Sequence, residues 1–532
     1  MKRLDQVTMG GSPQLRVAPH KRLLKSLAAL VLILGTIPGQ AAANATATLK
    51  VSADTTLTAD FVGEVVIVKD GVTLNCAGHH IIGNGAGRGI VVDKRTGVTV
   101  RNCDVSNFAT GFWVASTSGS TFENNNSHDN KSPGASVGFT IGAGFWVQSS
   151  SGNRIVNNRM FHNASDGLDA FNSPSNEFTA NQFDDNGLAG AFFGNGSDNN
   201  WIAGNQALSN GASGFIVADG ASDNHLIGNS ALFNAGSGYT VDGNVHPVDG
   251  NVLEDNRAIG NRDAGFLLNN SAVNNRLIGN LSGSNATGFR VAGGTSDNDL
   301  EGNAANYNSG SGYLLIDGAT RNSLVGNSAQ YNALRGFAAS FDANGNRLES
   351  NSANGNGTGC DLCGGFVVFS ASTNELTGNS ADSNAGRGYL LVGASRNVVS
   401  NNVASANAFE GFTLLGSADN VLSGNQAMNN GSPGVYAGFA LLEGSTRNQL
   451  TGNTANSNGA DGFVLDASNW NSISQNVGNL NGNIGFWARN GASFNIFDLN
   501  AGQGNAYFDA VDDLTGTDNM WTNNTFGTTQ GI

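Results

Sequence analysis

The chain has 532 residues, 75 of them glycine, with 13% charged side chains and a formal net charge of −15. Removal of residues 1–43 takes away six basic residues and Asp5, leaving 20 basic and 40 acidic side chains and a net charge of −20 (20 − 40). A surface this acidic, with no lysine after Lys131, excludes nucleic acid as a partner, because that binding needs basic groups to displace counterions.

In chain order, the first element is a secretory signal over residues 1–43. Lys21, Arg22 and Lys25 form its basic region, "LAALVLILGTI" from Leu27 its apolar run, and Ala41–Ala43 a small-residue cleavage site. The apolar run is too short to cross a bilayer comfortably, so the mature chain is expected to be exported and to keep no stable membrane span. "VSADTTLTADFVGEVVIVKD" from Val51 then reads as the cap on the N-terminal end of a long repeat.

The repeat itself is regular. From Asn153 to Asn471, fourteen segments carry an asparagine with a second five places on and a third ten places on, as in "NSLVGNSAQYN" from Asn322. The steps between copies are mostly 23 or 24 residues. Within a copy the apolar residues alternate over short runs, as in "LIG", "SAL" and "GFIV", which predicts three short strands separated by bends and no helix. Asparagine suits such bends because it tolerates a left-handed backbone, and stacked amides bond one another across copies. One period over most of the chain predicts one solenoid over 44–526, of about 19 coils and about 90 Å at ~4.8 Å per coil, with a short tail at 527–532. Cys76 and Cys103 lie 27 residues apart, a little over one coil, and are expected to form a disulfide. Cys360 and Cys363, in "CDLC", are expected to form a local loop disulfide.

"DGVTLNCAGHHIIGNG" from Asp70, then "GRGIVV", "GVTVRNCDVSNF" and the N-x4-N-x4-N…GF coils, resembles the right-handed parallel β-helix family, the pectin-lyase-like superfamily that includes NosD-type periplasmic proteins. The resemblance implies an all-β, single-stranded right-handed parallel β-helix. On activity it implies little, since that superfamily holds polysaccharide lyases, hydrolases, epimerases, tailspikes and non-enzymes. The D-P-H-D motif of alginate epimerases is missing, and no His/Met/Cys cluster suggests the copper role of NosD-type proteins.

Candidate chemistry concentrates in the first coils. In "G-F-x-V" strands the x side chain is expected to face outward. That column starts with Trp113, Trp146, Asp169 and Phe192 and continues largely apolar to Trp487, predicting an exposed stripe on which Trp113, Trp146 and Phe192 offer platforms for sugar rings. Asp169 and Asp166 are the catalytic candidates, joined by His162 and Asp185 from the column before the third asparagine. Asp129, Asp184 and Asp185 are the alternative use of the same cluster, a Ca²⁺ site. Bound Ca²⁺, or a patch drawn from arginines such as Arg88, Arg101, Arg154 and Arg159, is what an anionic polysaccharide would require. The sequence therefore predicts an exported β-helix that recognises polysaccharide along its outer strand face, as a lyase, epimerase or hydrolase if it is an enzyme. The alternative is a non-catalytic periplasmic or cell-surface solenoid whose stripe binds protein.

Overall fold

A computed structural model describes residues 47–131, 142–358, 360 and 362–532. The expected signal over residues 1–43 and most of the insertion before Phe145 lie outside the described residues.

Each coil contributes one strand to each of three parallel sheets. Sheet 1 holds the Gly-Phe strands, such as Leu168–Phe171. Sheet 2 holds the strands after the first asparagine, such as Glu177–Thr179. Sheet 3 holds those after the second, such as Gln182–Asp184. Coils pair in register with the next, for example Leu168 with Ala191, Glu177 with Trp201 and Gln182 with Gln206. The expected parallel β-helix is therefore the observed one. Strands run from Ala47–Val51 to Thr529–Gln530, and the latter pairs with Ala510 and Val511, so the expected tail continues the solenoid.

The three asparagine columns point inward and are buried, and they form ladders. Asn327 shows the unit. Its backbone N–H and Nδ2 both donate to Oδ1 of Asn351, at 2.8 and 3.1 Å, and Nδ2 also donates to the carbonyl of Leu300 at 2.8 Å. Each amide thus satisfies bend groups that no sheet partner reaches. The left-handed backbone falls elsewhere than expected. It is adopted by the residue before each ladder asparagine, as at Asn157, His162, Ala180 and Asp185, and by none of the ladder asparagines. In the first coils Cys103 occupies a ladder position, and its N–H donates to Oδ1 of Asn125 at 3.0 Å. It is bonded to Cys76 at a Cα separation of 4.8 Å, the spacing of one coil, and Cys360 is bonded to Cys363.

The core sits between the three sheets. From Phe215 to Phe486 the inward position of sheet 1 is Phe or Tyr in every coil, with rings stacked at 4.5 to 5.1 Å. Before Phe215 that column breaks: Leu168 and Ala191 replace the rings. At the C-terminal end Trp521 stacks on Phe497 at 3.8 Å and packs against the apolar interior.

Candidate functional site

The outward column of sheet 1 begins as a pile of flat groups. The Arg88 guanidinium lies 3.5 Å from the Trp113 ring centre, Trp113 stacks on Trp146 at 6.0 Å, and Trp146 stacks on Phe171 at 5.9 Å. Side chains one coil apart in a parallel sheet are close enough to shield each other. Trp146 is accordingly only 4% exposed, which corrects its reading as an open sugar platform; Trp113 and Phe192 are half-buried. The expected exposed stripe also fails further on, where Ala338, Val367, Leu390, Thr413, Ala440 and Val464 are all buried. Short side chains in this column recess between their neighbours.

Asp169 sits in register between Trp146 and Phe192. It is 1% exposed, and among the described residues neither of its carboxylate oxygens has a hydrogen-bond partner. Burial pushes its carboxyl well above the usual range, and the charge of Asp166 pushes the same way. Asp166 is buried too. Burial raises it to about 7, against hydrogen bonds from the Ala189 N–H at 2.7 Å and the Ser165 hydroxyl at 3.4 Å. Burial therefore displaces two neighbouring carboxyl groups upward, Asp169 on sheet 1 and Asp166 on the bend just before it. His162 and Asp185 are exposed, on the left-handed bends before the third asparagine. No hydrogen bond or ion pair among the described residues joins them to Asp166 or Asp169, so the expected quartet divides into a buried pair and an exposed pair.

The outer face of sheet 3 carries a second cluster, only part of which stands out in the sequence. His128 Nε2 lies 2.8 Å from Asp104 and Nδ1 2.7 Å from Asp129, while His80 lies 3.2 Å from Asp104. The hydrogen bond to Asp104 raises the His128 pKa against the opposing effect of burial. Burial acts to raise Asp104, but hydrogen bonds from His128 and Asn126 outweigh it and hold the carboxyl below its ordinary value. The His128 ring stacks on Phe161 at 4.6 Å, Arg159 covers Phe161 at 4.3 Å, and Arg159 pairs with Asp184 at 3.1 Å. His80, Asp104 and Arg159 fall at the first position of sheet-3 strands, a column visible once the copies are aligned strand by strand.

These pairings change the reading of Asp129, Asp184 and Asp185 as a Ca²⁺ site. Asp129 is held by His128 and Asp184 by Arg159, while Asp185 is exposed. Among the described residues no group of three His, Cys, Asp or Glu side chains is placed to hold a metal ion. Nor is any helix there long and apolar enough to cross a membrane.

The family model described as "Right handed beta helix region" matches residues 65–231, 280–404, 306–440 and 364–502, well over half of the chain. The model described as "Periplasmic copper-binding protein (NosD)" matches residues 206–336. No curated protein matches the chain. Among solved structures, the periplasmic alginate epimerase AlgG is similar at 16% identity, over 59% of this chain and 76% of that one, with a TM-score of 0.37. The AlgE4 A-module, a mannuronan C-5 epimerase of Azotobacter vinelandii, is similar at 13% identity, over 75% and 90%, with a TM-score of 0.36. The catalytic domain of a GH87 alpha-1,3-glucanase in complex with nigerose is similar at 13% identity, over 65% and 70%, with a TM-score of 0.35.

Proposed function

The chain belongs to the right-handed β-helix family, and on that footing we propose that it is an exported polysaccharide-recognising β-helix whose first coils do the recognition. The observation that carries this reading is Asp169. A carboxyl buried with no partner among the described residues costs stability, and the equivalent position in other coils is mostly apolar, as at Leu267, Leu314, Val367, Leu390 and Val464, with Thr240, Arg290 and Thr413 the polar exceptions. The fold gains nothing visible from an aspartate there. Groups kept at such a cost, with a displaced pKa and aromatic neighbours, are the mark of a site that handles protons or polar ligands. In this reading Asp169 and Asp166 supply the proton, as general acid or as donor to a sugar oxygen, and the half-buried Trp113 and Phe192 supply apolar contact. Asp169 is reached when the Trp146 or Phe192 ring swings aside, so ligand binding changes tryptophan fluorescence. As an enzyme the protein is then a lyase, epimerase or hydrolase, with export consistent with its two disulfides.

The test is a panel of polysaccharides offered to the mature protein, with binding and new reducing or unsaturated ends read together. Asp169→Asn that keeps binding and abolishes turnover supports the enzyme; no response to any polysaccharide rejects the reading. The burial of Trp146 favours the second reading, a protein-binding solenoid without catalysis, and Trp146→Ala that alters self-association instead of glycan binding would establish it. The NosD likeness brings a copper role into view, but residues 206–336 offer only His225 and His246, with no cysteine or methionine. That donor set does not fit a copper site.

A further inference from the structure

Sheet 2 carries a feature that the Asp169 reading does not use. Trp201 stands at the outward first position of its strand, between Glu177 in the preceding coil and His225 in the next one. Its side chain is 44% exposed, unlike the self-shielded Trp146 at 4%. Beside it lies a shallow depression bordered by Gly152, Ser175 and Asn199 on the bend and by Arg154, Glu177 and Trp201 on the strands. The depression exists because the bend column is small here. In several later coils the same column carries side chains that bridge from coil to coil, as Arg321 to Asp297, Arg447 to Asp419 and Trp470 on Phe494. Gly152 leaves open the space that such a side chain would fill.

The polar groups at the depression remain free to bind. Arg154 Nε donates to Glu177 Oε2 at 3.0 Å, which fixes the guanidinium while its two terminal nitrogens stay available, and the side chain is 57% exposed. Glu177 Oε1 accepts only from Thr179 at 3.2 Å, and Asn199 is exposed. An indole face beside a paired guanidinium and carboxylate matches a pyranose, whose C–H face is apolar and whose vicinal hydroxyls both donate and accept. The guanidinium and carboxylate cancel in charge, and the mature chain is strongly acidic, so the ligand is neutral.

We propose that Trp201, Arg154 and Glu177 form a binding subsite for a neutral hexose unit on sheet 2, separate from the Asp169 face on sheet 1. The experiment is a titration of the mature protein with cellohexaose, laminarihexaose, maltohexaose and an oligogalacturonate hexamer, monitored by tryptophan fluorescence and calorimetry. At least one neutral hexaose should bind saturably. Trp201→Ala should weaken it about tenfold or more, Arg154→Ala and Glu177→Gln should weaken it less, and Trp201→Phe, which keeps a ring, should retain most of the affinity. Asp169→Asn should leave this binding unchanged. The inference is overturned if no neutral hexaose binds at millimolar concentration, if only the oligogalacturonate binds, or if Trp201→Ala binds like the wild type. Binding that is lost in Asp169→Asn but kept in Trp201→Ala overturns this subsite while supporting the sheet 1 reading, so the two fail separately.

Discussion

The coils from Arg88 to Trp201 and those from Arg335 to Trp487 share one backbone and one asparagine ladder, yet they use their surfaces in opposite ways. In the later coils the inward aromatic column is unbroken and the outward column of sheet 1 is buried and without charge from Ala338 to Val464, ending at the half-buried Trp487. In the earlier coils the inward column gives way to Leu168 and Ala191, while the outward faces gather Trp113, Trp146, Asp169, His128, Arg159 and Trp201. The ladder therefore carries the fold, leaving the outward columns free to bear groups that cost stability. The adjoining buried carboxyls Asp166 and Asp169 fall in these earlier coils, and that is where function is to be sought.

The largest effect is expected at the shared ladder. Asn327→Ala, just before the later coils, leaves the Asn303 amide groups and the Leu300 carbonyl without their partners, an expected loss of about 3–5 kcal/mol. Asn181→Ala, in the coil of the buried carboxyls, removes the same kinds of bond and should cost as much. Chemical denaturation of both variants checks this, and a much smaller cost at Asn181 would mean that the two regions do not share one scaffold.

Next in size is the pH dependence of the buried pair. The folded-state carboxyl of Asp166 is raised to about 7 from the ordinary 3.8, so the folded protein holds a proton that the unfolded chain releases between those values. The share of Asp166 is a fall in stability as pH rises from about 4 to about 7, by up to about 4 kcal/mol, to which Asp169, displaced in the same direction, adds its own fall. Asp166→Asn keeps an acceptor for the Ala189 N–H and removes the Asp166 share, so the variant should be more stable than wild type at about pH 8 and similar at about pH 4. Denaturation at the two pH values tests the sign. The later coils supply the smallest effect: Arg447→Ala breaks an exposed pair with Asp419 and should leave the denaturation midpoint almost unchanged.

Much of the fold is legible in the residues. Three asparagine columns at fixed spacing require three bends per coil, and the Cys76–Cys103 separation of 27 matches one coil, so both strand order and disulfide can be read from sequence. The site is legible only in part. Asp166 and Asp169 stand out because they are the one place where both columns carry a carboxylate in the same coil, in "ASDGLDAF". Their separation from His162 and Asp185 does not, because a bend lies between the strand and its corner, and spacing alone does not say which side chains turn the same way. The burial of Trp146 is hidden for a related reason: alternation says that a side chain points outward, but not that Trp113 and Phe171 will cover it. Trp201 lies outside the Gly-Phe strands on which the sequence signal is strongest, and its one mark is a lone tryptophan after a ladder asparagine in "NWIAGN".

The central claim is that Asp169 is kept at the expense of stability. Amide hydrogen exchange over Leu168–Phe171 and Ala191–Gly194, compared between wild type and Asp169→Leu at about pH 8, measures it most directly. Leucine is what the equivalent position carries at Leu267, Leu314 and Leu390, and replacing a buried unpaired carboxyl by an apolar group should slow exchange by the equivalent of about 1–4 kcal/mol. Faster exchange in Asp169→Leu would show that the aspartate stabilises these coils, and would contradict the account.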